Sequence, residues 1–201
     1  MTVSLKAKAI LASAMLVLGA QAAQATLLTA STNVDNLYEI FLSTDDSVAG
    51  SSFGSGARWE TTFTDTTTLT AGVTNYLHLV ATDVGGIAML LGEFSLSDSD
   101  FEFANGTQSM LSGDAGLLVS KTGFGVDYLA TSDLGANGTG PWGMMGGVDS
   151  SARYVWSANA YDDNLVYFSA AITSTAVPEP ASLALLGFGL VGVGARRFKK
   201  K

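Results

Sequence analysis

Seven carboxylates stand in short loop-like stretches: Asp45 and Asp46, then Asp98, Asp100 and Glu102, then Asp162 and Asp163. Calcium takes several oxygen ligands from loops of this kind. A solvated acidic surface accounts for the same residues, and there is no twelve-residue EF-hand loop with its glycine and closing glutamate, so calcium is left open as a cofactor and no metal ligand is assigned. Glycoside hydrolysis would need two carboxylates facing each other across a sugar-binding cleft, and acids scattered along the whole chain select no such pair. Gly50-Ser51-Ser52-Phe53-Gly54 fits G-x-S-x-G, the turn that exposes a nucleophilic serine between a strand and a helix. More Gly, Ser and Thr follow it instead of a helical repeat, and the single histidine, His78, sits in mid-strand as a half-exposed filler. With no cysteine and one histidine, the usual ligand sets for structural zinc cannot be assembled. Gly187 to Gly192 fits G-x-G-x-x-G, but apolar and then basic residues follow it, with no acidic residue about twenty positions on to meet a ribose. No catalytic residue is assigned.

Strands must position whatever these groups do. Between Thr26 and Ala176 Gly, Ser, Thr, Asn and Asp punctuate short runs that alternate with period two, the pattern of an all-β sandwich or barrel. Tyr38, Ile40 and Leu42 share one face of the first such run. Leu77, Leu79 and Ala81 share one face of the second, and Val166, Phe168, Ala170 and Ile172 one face of the third. Asn105-Gly106 and Asn137-Gly138 predict tight turns in which both central residues take positive φ. The Gly-, Ser- and Thr-rich stretch 50–72 predicts a loop leading into a strand. Trp156 lies in a strand-like run and is expected in the core. Trp59 and Trp142 are the candidate glycan contacts, Trp142 because its Gly-rich loop favours exposure.

The two ends of the chain were built for another job. Residues 1–25 carry Lys6 and Lys8, an apolar run from Ala9 to Ala20, and small residues ending Ala23-Gln24-Ala25, which reads as a signal peptide cleaved after Ala25. Residues 177–201 hold Val177-Pro178-Glu179-Pro180, an apolar segment from Ala181 to Ala195, and the basic stop Arg196, Arg197, Lys199, Lys200 and Lys201. Fifteen helical residues span about 22 Å, short of the roughly 30 Å hydrocarbon core, so the segment suits a short, transient membrane helix. Residues 26–176 between them carry three positive and seventeen negative side chains, a net charge of −14. That balance repels phosphate backbones and argues against nucleic acid as a partner. Glycans and cations remain open.

The tail resembles the PEP-CTERM sorting signal of Gram-negative bacteria in all three of its parts, in order. The resemblance implies a partner, exosortase, which processes the tail while the inner membrane holds it transiently, and release of the passenger to the cell surface or the extracellular polysaccharide. The middle resembles galactose-binding-like jelly-roll domains through Asp35 to Leu42, Gly56-Ala57-Arg58-Trp59, Leu69 to Gly72, Tyr76 to Asp83, Gly85 to Ala88, Pro141-Trp142-Gly143 and Ala152 to Trp156. It departs from them at Ser43 to Gly50, where those domains have a tight Asn-Gly turn. The resemblance implies an all-β jelly-roll sandwich flanked by a signal helix and a short transmembrane helix. It also implies a non-enzymatic protein that associates with exopolysaccharide. A hydrolase of that matrix and an adhesive protein with a protein partner are the alternatives.

Overall fold

The computed structural model describes residues 25–175, so the expected signal peptide up to Gln24 and the sorting tail with its expected transmembrane helix lie outside the described residues. Thirteen strands run through this region: β1 Leu27–Asp35, β2 Leu37–Ser43, β3 Ser51–Gly56, β4 Phe63–Thr68, β5 Asn75–Thr82, β6 Met89–Leu96 and β7 Phe101–Phe103, followed by β8 Ser109–Leu111, β9 Leu118–Ser120, β10 Leu129–Ala130, β11 Ser132–Ala136, β12 Arg153–Trp156 and β13 Leu165–Ser174. No helix among the described residues is long and apolar enough to cross a membrane.

Two antiparallel sheets pack face to face. The first has the order β11-β12-β6-β1-β4, and the second β10-β9-β13-β5-β2-β3. β8 joins β12 along one edge of β6, and β7 joins β9 along one edge of β13, so short strands fill each edge in succession. The three runs whose alternation is clearest in the sequence are β2, β5 and β13, hydrogen-bonded neighbours in the middle of the second sheet. Their expected faces hold: Tyr38, Ile40, Leu77, Leu79, Ala81, Val166, Phe168, Ala170 and Ile172 are all buried in the main core. Leu28, Ala30, Val34, Leu90, Phe94 and Trp156 meet them from the first sheet. Each large side chain removed from water here contributes about 1.5–3 kcal/mol.

A second apolar cluster lies on the outer face of the first sheet. On β6 alternate residues separate cleanly, with Leu90, Phe94 and Leu96 in the main core and Met89 and Leu91 in the second. Trp142, Met145 and Val148 from the loop 137–152 roof it, together with Tyr154 of β12.

Two local expectations are corrected. The stretch 50–72 is not a loop leading into one strand: it forms β3 and β4, the edge strands of the two sheets, because exposed Ser and Thr are well tolerated on a half-solvated strand. The Asn-Gly pairs are not turns with two positive-φ residues. Only Gly106 (φ +75°) and Gly138 (φ +108°) are left-handed. Gly106 N–H closes on Phe103 O at 2.8 Å, so Ala104 and Asn105 form the turn and the glycine follows it.

Candidate functional site

A cluster of titratable side chains lies on the outer face of the second sheet. β5 places His78 there, opposite Ser169 of β13, and the loops 44–50 and 121–128 fold over both. Asp46 Oδ1 accepts from His78 Nε2 at 3.2 Å, from Tyr128 Oη at 3.0 Å and from Ser169 Oγ at 3.0 Å. The other ring nitrogen, Nδ1, lies 3.3 Å from Ala49 O. Phe124 stacks on the imidazole at 4.0 Å between centroids. His78 is therefore fully buried, not half-exposed, because two loops that carry no strand signal close over its strand. Burial also pushes the Tyr128 hydroxyl up from its ordinary pKa.

Serine, histidine and aspartate thus meet, but in the wrong order for nucleophilic catalysis. A triad needs the imidazole between the hydroxyl and the carboxylate, so that it can take the hydroxyl proton. Here the carboxylate is central and receives both other groups. Ser52 of the G-x-S-x-G match lies exposed within β3, an edge strand with no helix after it. The Asp46 cluster is a clasp that ties two loops to the sheet.

The acids singled out in the sequence mostly hold their own turns. Asp45 accepts from the backbone and hydroxyl of Ser47, and that hydroxyl holds its carboxyl below the usual range. Asp98 accepts from Thr26 Oγ1 at 2.7 Å, which lowers its pKa, and also receives Ser97 and the Asp100 N–H. Asp162 receives the Asn159 amide. Among the described residues no group of three or more His, Asp or Glu is placed to hold a metal ion.

Trp142 is not an exposed aromatic platform: its side chain is 7 % exposed. Its Nε1 donates to Asp35 Oδ2 at 2.9 Å, and its ring packs 4.9 Å from that of Tyr154. The Gly-rich loop folds inward because the buried Asn137 amide pairs with the Met145 backbone, accepting from its N–H at 2.8 Å and donating to its carbonyl at 3.0 Å. Trp59 is half-buried against the same cluster. Tyr161, in contrast, is 67 % exposed.

An enclosed cleft of about 260 Å³ lies between β9–β10 and the loop 157–163 that carries Tyr161. Leu129 supplies an apolar wall, and Lys121, Thr122, Asp127, Ser157 and Asp163 supply the polar groups. Lys121 Nζ lies 3.4 Å from Asp163 Oδ1, and Ser157 Oγ donates to Asp163 Oδ2 at 2.7 Å. Thr122 Oγ1 donates to Asp127. A more open groove of about 410 Å³ between the β2–β3 edge and β4 is lined by hydroxyls, among them Ser43, Thr44, Thr67 and Thr70. Nothing in the sequence marks the first cleft, since Lys121 and Asp163 are 42 residues apart and meet only through the pairing of β9 with β13.

Residues 176–200 match the PEP-CTERM protein-sorting motif. The motif marks an exported protein that is anchored in the membrane before an exosortase processes it. No curated protein and no solved structure matches the chain.

Proposed function

We propose that the exported domain is a non-enzymatic, galactose-binding-like jelly-roll module that associates with neutral exopolysaccharide at the cell surface through the cleft beside β9 and β10. The observation that carries this reading is the makeup of that cleft. Leu129 offers an apolar wall, Lys121, Thr122, Ser157 and Asp163 offer fixed donors and acceptors, and Tyr161 stands exposed on the adjoining loop. Ligand sites commonly combine an apolar wall with a few placed polar groups. The strongly negative domain disfavours polyanionic partners and leaves neutral glycans as the compatible polymer class. Two antiparallel sheets with a filled core support the jelly-roll reading.

Asp127 and Asp163 line the same cleft, which gives the hydrolase alternative its one foothold. Both are engaged by neighbouring donors, Asp163 by Lys121 and Ser157 and Asp127 by Thr122. Pull-down of the exported protein with exopolysaccharide from its own cells tests the proposal. Retention is expected with the native chain and should drop about tenfold in Lys121→Ala. No retention, equal retention by the variant, or release of reducing sugar ends this reading.

A further inference from the structure

The chain enters and leaves the sandwich at the same end. Thr26 Oγ1 donates to Asp98 Oδ1 at 2.7 Å, Leu27 N–H donates to Ser97 Oγ at 2.9 Å, and Ser97 N–H donates back to Leu27 O at 3.0 Å. From the other terminus, Thr175 N–H donates to Asp100 O at 2.9 Å and the Thr175 hydroxyl donates to Ser99 O. The loop 97–100 between β6 and β7 therefore ties down both ends of the domain, although β1 and β13 belong to different sheets.

The cleft lies at the opposite end. β13 is ten residues long, about 30 Å at the usual rise of a strand. Its first residue, Leu165, pairs with Thr82 of β5, and Val84 in the turn just beyond is 73 % exposed. Tyr167 pairs with Ser120, which brings Lys121 towards Asp163 at this far end.

Only Ala176 and Val177 separate Thr175 from Pro178 of the sorting motif. Three residue steps reach about 11 Å at full extension. The chain has no slack before that point, because Thr175 is held by its amide and its hydroxyl, and Thr173 and Ser174 are paired with β7. An enzyme that grips Pro178-Glu179-Pro180 must bring its outer face within that reach of the loop 97–100. Anionic lipid is the other surface within reach, and the carboxylates of Asp98 and Asp100 disfavour it.

We propose that the loop 97–100, with Leu27 and Thr175 beside it, is a docking surface for the exosortase, which processes the tail while the folded domain sits against it. Ser97, Ser99 and Asp100 are its exposed polar residues, and Leu27, 42 % exposed, is its apolar one. In this pose the cleft faces away from the enzyme and the membrane, open to polymer before the chain is released.

The chain contains no cysteine, so Ser99→Cys and Val84→Cys each introduce a single thiol, at exposed positions that leave the core untouched. The test modifies each full-length variant with benzophenone maleimide in membranes of the native cells, irradiates them, and identifies the adducts by mass spectrometry. An exosortase adduct is expected from Ser99→Cys and none from Val84→Cys. A bulky polyethylene glycol maleimide on Ser99→Cys should also block removal of the tail, whereas the same group on Val84→Cys leaves removal at the native rate. The proposal is overturned if Ser99→Cys yields no adduct or lipid adducts alone, or if both positions yield the exosortase equally. Tail removal that is unaffected by the bulky group on Ser99→Cys overturns it as well.

Discussion

Asp46 shows how a constellation of catalytic residue types can be structural. Its Oδ1 receives His78, Tyr128 and Ser169, groups 32, 82 and 123 residues away in the chain. Removing that carboxylate strands a buried imidazole and two hydroxyls at once, so Asp46→Ala should destabilise the fold by about 2–3 kcal/mol, measurable by urea unfolding. Asp46→Asn keeps an acceptor oxygen and is expected to lose less. The sequence offers His78 as the only histidine but carries no sign of its partners. Separations of this size are closed only by the pairing of β5 with β13 and by the folding of two loops. The same holds for Trp142, whose Gly-rich surroundings suggest a solvated loop. Its burial is set by Asp35 and Tyr154, each on a different strand.

Strands were the most legible elements, and legibility followed burial on one face. β2, β5 and β13 alternate strongly because one side of each meets the main core. β6 and β12 contribute residues to apolar clusters on both sides of the first sheet, which erases the alternation that would mark them. β3 and β4 have only partly buried inner residues and read as a Ser- and Thr-rich loop. The loop 137–152 is the element whose conformation depends most on one side chain. Asn137 holds both backbone groups of Met145, and the Tyr154 hydroxyl holds the Gly143 carbonyl. Asn137→Ala should therefore cost about 2–3 kcal/mol and loosen the roof of the second cluster. A red shift in tryptophan emission with unchanged far-UV circular dichroism would report that local opening. An unshifted spectrum would show that Asn137 does not hold the loop.

At the scale of the whole molecule, the chain joins a domain of net charge −14 to a tail that holds half of all its positive charge. The PEP-CTERM motif places that tail under exosortase processing. Mass spectrometry of the protein released from native cells should show a chain lacking residues 181–201. Replacing Pro178 and Glu179 by alanine should leave the full-length chain in the membrane fraction; equal processing of that variant would show that the Pro-Glu-Pro core is not what is read. The sequence by itself determined the sorting address and the all-β character. Both are local properties: one is an ordered string of proline, apolar and basic residues, and the other is a two-residue alternation on strands that face the core. Only the tertiary structure decided which side chains meet. It moved Trp142 inside, made Asp46 a clasp, formed the Lys121–Asp163 cleft and tied Thr26 and Thr175 to one loop, because each of these depends on contacts between strands and loops far apart in the chain.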